Sequence, residues 1–229
     1  MKIALLGYGR MGQAIEKIAI KRGHTIVAKI DKDNKDETYI ADVAINFSVP
    51  MAAYYNIKDA INKKIPVVCG TTGWLDRLNE IETLCQQSEG AFLYASNFSL
   101  GVNLFFELNE KLAEMMQKQP QYTASIEEIH HTQKIDKPSG TAITLAEGIK
   151  SEDNTWNLID NIEEGVQINS IRKDDVPGIH SVKYHSEVDE ISITHTAYNR
   201  TGFALGAVLA AEWIQDKKGI FSMKDVLQL

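Results

Sequence analysis

Two histidines and two lysines fall within eight residues, His130-His131-Thr132-Gln133-Lys134-Ile135-Asp136-Lys137, in a chain with an excess of acids. An imidazole exchanges protons near neutral pH, and an ammonium group beside it offsets the charge of an anion. Directly after Pro138, Ser139-Gly140-Thr141 opens a run of helix formers from Ala142 to Lys150. The unpaired N–H groups at such a start form an anion site suited to a carboxylate. Cations, a titratable ring and a helix N-terminus close together suit an anionic substrate that is reduced and protonated. Two adjacent histidines on a strand point to opposite faces, so both reach one pocket only if the strand ends there, as the polar pair Thr132-Gln133 suggests. Lys137 beside Asp136 reads as a surface pair. Metal binding by His130, His131 and Glu127 or Glu128 lacks a supporting spacing such as H-E-x-x-H, and no metal is expected.

A second pattern bears on the reductant. Gly7-Tyr8-Gly9-Arg10-Met11-Gly12 fits G-x-G-x-x-G, follows an apolar strand, opens a helix, and is followed by the acidic Asp31 at the end of the next strand. In that setting the glycines allow a tight turn and close backbone approach to a pyrophosphate, and the acid accepts hydrogen bonds from the adenosine ribose. Asp31 repels a 2'-phosphate whereas Lys32 could neutralise one, so NADH is the expected cofactor, with NADPH as the alternative. Gly70-Thr71-Thr72 and Ala95-Ser96-Asn97-Phe98 close two further strands, at the edge where a doubly wound sheet holds its ligand.

These groups need a scaffold, which the apolar periodicity supplies. Strands are expected at Lys2 to Leu6, Thr25 to Ile30, Val43 to Phe47, Pro66 to Cys69 and Ala91 to Ala95, with helices at Gln13 to Lys21, Met51 to Asn62 and Asp76 to Gln87. Such alternation implies an α/β doubly wound, Rossmann-type parallel sheet. The polar crossover from Asp31 to Asp42 leaves little room for a helix. From Gly101 the pattern becomes a long helix to about Lys118, then strands at Tyr122 to His130, Val166 to Arg172, Gly178 to Ser186 and Glu190 to Tyr198. Several of these alternate apolar with polar residues, as in a mixed sheet with one polar face. The expected division is a dinucleotide-binding domain, 1–100 completed by 201–229, and a central α+β domain, 101–200, for substrate and oligomerisation. Gly202 to Gln215, apolar over most of its circumference, reads as a buried helix.

The 229 residues suffice for a sizeable core without staples, and 24 Lys+Arg against 31 Asp+Glu give a net charge of -7. That field argues against a nucleic-acid or anionic-membrane surface. Cys69 and Cys85 form no C-x-x-C, the opening apolar run is too short for a signal peptide, and a cytoplasmic location is expected.

The motifs together resemble the dihydrodipicolinate reductase family. The resemblance rests on Gly9-Arg10-Met11-Gly12, Gly70-Thr71-Thr72-Gly73, Asn97-Phe98-Ser99 with Gly101-Val102-Asn103, the signature from His130 to Thr141, and Arg200 to Phe203. It implies that His130 is the proton donor or acceptor and Lys134 a second proton donor. His131, Ser139, Gly140 and Thr141 would hold substrate carboxylates. Gly7 to Gly12, Asp31, Lys32, Gly70 to Thr72 and Ala95 to Phe98 would hold the nucleotide. It further implies NAD(P)H-dependent reduction of 4-hydroxy-tetrahydrodipicolinate in the diaminopimelate route to lysine, a homotetramer assembled through the central domain, and a last helix that returns to the nucleotide domain. The rivals are an amino-acid or aldehyde dehydrogenase on the same nucleotide fold and a nucleotide sensor without catalysis.

Overall fold

The computed structural model describes residues 1–34, 37–150, 166–199 and 201–229. Its contacts divide the chain into two units, Met1–Leu100 with Thr201–Leu229, and Gly101–Arg200.

The first unit is built on a six-stranded parallel sheet in the order β10-β5-β4-β3-β1-β2. Its strands are β1 (Lys2–Leu6), β2 (Thr25–Ile30), β3 (Val43–Asn46), β4 (Val67–Cys69), β5 (Ala91–Tyr94) and β10 (Gly219–Phe221). β1, β3 and β4 are nearly continuous runs of buried apolar residues, as expected of strands covered on both faces. One face packs against α2 (Pro50–Asn62) and α3 (Leu78–Gln87) through Ala53, Ile57, Ile61, Ile81 and Cys85. The other packs against α1 (Arg10–Lys21) and α6 (Thr201–Ile214) through Ile15, Ala19, Ala207, Ala211 and Ile214. In α1 the buried Gly12, Ile15 and Ala19 recur at helical spacing, which fixes the face it turns inward. Pro50 starts α2 at a position that needs no N–H donor.

The chain leaves β1 for β2 on one side and returns to β3 on the other. The strand order therefore reverses at β1, and the crevice beyond the strand C-termini lies at that switch point. The polar crossover after β2 carries no helix among its described residues.

The second unit holds a four-stranded sheet, β7-β6-β8-β9, from β6 (Thr123–His130), β7 (Gln167–Arg172), β8 (Gly178–His185) and β9 (Glu190–Ala197). β6 and β7 are parallel and the other pairs antiparallel, so the sheet is mixed. α4 (Leu100–Met116) and α5 (Gly140–Ile149) cover one face, packing Phe105, Ala113, Leu145 and Ile149 on Ile126, Val182 and Tyr184. Alternation puts Ile126, Glu128 and His130 on that covered face and Ser125, Glu127 and Ile129 on the other.

β10 and α7 (Met223–Leu227) were not foreseen in the sequence. A three-residue edge strand is too short for a period to show, whereas α7 does carry a readable capping box between Ser222 and Asp225. No helix among the described residues is long and apolar enough to cross a membrane.

Candidate active site

The glycine loop joins β1 to α1 at the switch point. Gly7 has φ +98°, and a Cβ there would lie 2.2 Å from the Phe47 carbonyl oxygen, so the turn tolerates no side chain. A Cβ on Gly12 would stand 2.4 Å from the Gly7 carbonyl oxygen, so the helix start folds directly onto the loop. Gly9 is the opposite case: nothing lies within 4 Å of a Cβ built there. Gly9 also caps α1 without any side-chain hydrogen bond, and the first turn holds no acidic residue. The first N–H groups of α1 are thus open at a bare surface, which is the requirement for a pyrophosphate cradle.

Around that loop the other expected nucleotide residues fall at strand C-termini. Asp31 is exposed at the end of β2, where Oδ2 accepts the Tyr8 N–H at 3.3 Å and Oδ1 the Lys32 N–H at 2.8 Å. Lys29, on the same side of β2, is paired with Glu16 at 2.6 Å and lies 4.7 Å from the Tyr8 ring centre, while the Tyr8 hydroxyl donates to Glu16. Arg10 and Lys32 are exposed and Met11 is half-buried against the core. Thr71 is buried, its Oγ1 accepting the Ser48 N–H at 2.9 Å, and its carbonyl accepts the Trp74 indole N–H at 2.7 Å. Thr72, which follows it, is exposed; after β5, Ala95 is half-buried and Ser96 exposed. Phe98 is buried, 5.5 Å from the Phe47 ring. Asn97 Oδ1 accepts the Ser99 N–H at 2.9 Å.

In the second unit His130 closes β6 on the covered face. Beneath it lies Glu128, a carboxylate with no exposure at all. Arg172, which is in register with His130 on β7, brings both terminal nitrogens within 3.3 Å of Glu128 Oε1. The Ser139 N–H donates to the same oxygen at 3.2 Å. Arg172 reaches on to the carbonyls of Asp136 at 2.6 Å and Lys134 at 3.3 Å, so one guanidinium holds both the buried acid and the loop after β6. Lys134 Nζ pairs with Asp136 at 2.7 Å. Asp136 was expected to pair with Lys137; the turn instead directs it to Lys134, two residues earlier.

His180, on β8, packs edge-on against His130 with ring centres 4.9 Å apart. The Ser139 hydroxyl lies 3.1 Å from His180 Nε2 and accepts the Ala142 N–H at 3.2 Å, capping α5. Burial pushes His180 down to about 4. Burial also lowers His130, with Lys134 and Arg172 acting the same way against Glu128. Burial alone would raise Glu128, but hydrogen bonds from Ser139 and Ser170 and the charges of His130 and Arg172 hold it below the usual carboxylate value. At neutral pH the cluster is therefore a carboxylate, a guanidinium and two neutral imidazoles.

His131 lies just beyond the strand, half-buried, and Gly140 and Thr141 form the first turn of α5, with Gly140 exposed. The structure thus gathers His130 and Ser139 around Glu128, and ties Lys134 to the same group through the Arg172 bond to its carbonyl. Glu128, His130 and His180 each offer a nitrogen or oxygen within 4.8 Å of the others, although Arg172 and both polar groups of Ser139 already engage two of the three. The sequence had pointed to the two adjacent histidines. Arg172 and His180 were missed because they arrive through sheet register, which local spacing does not encode. Gly178, on the strand that carries His180, leaves the ring its room: a Cβ there would stand 3.1 Å from His130 Nε2. Arg200 lies outside the described residues.

Residues 1–98 match the family model for the N-terminus of dihydrodipicolinate reductase, and residues 101–227 match the one for its C-terminus. The 4-hydroxy-tetrahydrodipicolinate reductase of Christiangramia forsetii is 56% identical, covering 99% of this chain and 98% of the relative. The enzyme of that name from Thermosipho africanus is 35% identical over 100% and 98% of the two chains. Among solved structures, dipicolinate-bound dihydrodipicolinate reductase from Paenisporosarcina sp. TG-14 superimposes with a TM-score of 0.79 at 20% identity, covering 98% of each chain. Both halves of the fold and nearly the full length of the sequence agree, and the chain belongs to the dihydrodipicolinate reductase family.

Proposed function

We propose that this protein reduces 4-hydroxy-tetrahydrodipicolinate to tetrahydrodipicolinate with NADH in preference to NADPH, as a step of the diaminopimelate route to lysine. The observation that carries this reading is the His130–Lys134 loop wired to buried Glu128 and half-buried Arg172, in a chain matched by the reductase family over nearly its whole length.

The open first turn of α1 and the bare Gly9 fit a pyrophosphate, and Asp31 fits the two ribose hydroxyls. When bound, a reduced nicotinamide supplies hydride. The chain's own residues place the substrate and handle its protons. The N–H groups opening α5 and His131 take the ring carboxylates. Lys134, held by Asp136, adds positive charge and carries a transferable proton, and neutral His130 accepts or relays one as water leaves and the ring carbon is protonated. NADH is favoured because Asp31 repels a 2'-phosphate and Lys29, the cation two residues before it, is tied to Glu16.

A homotetramer assembled through the central sheet accords with that sheet's second face, on which Ile129, Ile171 and Ile179 stand half-buried among polar residues with no helix among the described residues packed over them. A cytoplasmic location follows from the same reading.

Nicotinamide absorbance loss, measured with each nucleotide beside aspartate semialdehyde, pyruvate and the preceding synthase, tests the assignment. Rapid loss with NADH and slower loss with NADPH is expected. Binding without consumption would favour a sensor, and turnover on free amino acids or aldehydes a different dehydrogenase.

A further inference from the structure

His130 Nδ1 and Glu128 Oε2 lie 3.0 Å apart, both buried; they are in ion-pair contact, yet neither is aligned for a hydrogen bond with the other or with any other group. Buried polar atoms without partners are rare, because each forfeits its full hydration. A small tilt of the imidazole aligns the two atoms, and that is the one pairing within reach that satisfies both. Glu128 is a carboxylate and can only accept, so Nδ1 must carry the hydrogen. The opposite tautomer would set a ring lone pair against carboxylate lone pairs at that distance. The other ring nitrogen, Nε2, then holds the free lone pair, and it faces Gly178, where the missing side chain leaves room.

We propose that Glu128 is a positioning residue of this enzyme: it fixes His130 as the Nδ1–H tautomer so that Nε2 exchanges the proton, while Arg172 neutralises Glu128 and clamps the Lys134 loop to the same anchor. The proposal rests on the functional reading above and assigns roles to two residues that neither proton chemistry nor substrate contact had claimed. His180 belongs to the same arrangement by exclusion. Ser139 Oγ accepts from Ala142, so its hydroxyl hydrogen is free to donate to His180 Nε2. That leaves His180 a spectator that lines His130 without competing for the carboxylate, 3.9 Å away. The charged and titratable groups facing His130 are thus Glu128 from β6, Arg172 from β7, His180 from β8, and Lys134 with Asp136 from the loop.

The first test uses the unmodified protein: nitrogen NMR of the histidine rings reads the His130 tautomer directly. Nδ1–H is expected, and Nε2–H would overturn the proposal. This measurement stands even if the chain consumes no nicotinamide, an outcome that would sink the functional reading instead. The second test uses opposed charge changes. In Glu128→Gln, Arg172 and Ser139 draw the amide oxygen, so the amide NH₂ faces Nδ1 and flips the tautomer. A fall in kcat of about 10²-fold, the lower end of what acid–base catalysis contributes, is expected with unchanged NADH affinity. The His130-controlled limb of the kcat/KM profile moves to lower pH because a negative charge is gone. Arg172→Met moves the limb to higher pH, since Glu128 is left uncompensated, and Glu128→Asp restores part of the activity. Shifts in one common direction, or none, would reduce both residues to structural supports. Should either variant fail to fold, the tautomer of the unmodified protein decides.

Discussion

The glycine loop and the His130 loop are built by opposite means. At the end of β1 the chain makes a site by leaving side chains out: Gly7 and Gly12 admit no Cβ, Gly9 exposes a bare helix start, and no acid or cap covers the N–H groups. At the end of β6 the chain makes a site by burying charge, with Glu128 fully enclosed and answered by Arg172, Ser139 and His130. The first kind of site binds through backbone dipoles and depends on space. The second sets protonation and depends on every polar atom having a partner. The two regions should therefore fail differently when a single residue is changed.

The largest effect is expected in the second region. His130→Gln or Lys134→Ala should lower kcat by about 10²- to 10⁴-fold while NADH affinity, read by fluorescence titration, stays within error. Loss of NADH binding in either variant would break the contrast. Next is Gly12→Ala, which forces a methyl group towards the Gly7 carbonyl and should cost about 1–3 kcal/mol of stability in denaturant titrations. Gly9→Ala should leave stability unchanged and weaken nucleotide binding alone, which separates space for the ligand from space for the fold.

Asp31→Ala should lower NADH affinity about tenfold, as expected for lost charge-assisted hydrogen bonds, and narrow the margin over NADPH. A milder, pH-dependent loss should come from His180. Its folded value of about 4 lies below the ordinary histidine value, so the unfolded chain binds the extra proton first, and stability drains away as pH falls through that window. His180→Gln should flatten the fall in Tm between about pH 6.5 and about pH 4, although His130 contributes in the same direction. The smallest effect should be Arg22→Ala. It cuts an exposed pair with Glu212, which also receives His24, and should cost under about 1 kcal/mol.

What the sequence made legible follows from where each signal resides. The parallel strands and their helices were readable because apolar runs and helical periods are local, and helix α1 began only three residues before its expected start. The loop from His130 to Thr141 was readable because its chemistry is packed into adjacent positions. The partners of Glu128 were not, since Arg172 and His180 reach it through strand register from residues far along the chain. Glu127 and Glu128 were indistinguishable in sequence. Strand alternation sends Glu128 to the buried face and Glu127 to the other, where Lys183 stands 3.7 Å from it.

The helix from Thr201 to Ile214 and the strand from Gly219 to Phe221 have a consequence for how the protein is made. They supply one covering layer and one edge of a sheet whose other strands end by Tyr94. As the ribosome works forward, the oily side formed by Ile3, Leu5, Val43, Ile45, Val68 and Leu93 is covered by α1 alone until residues 201–214 have been made. The early strands must wait, half-dressed, for the segment from Thr201 to Phe221, and chaperone dependence should end when that segment emerges.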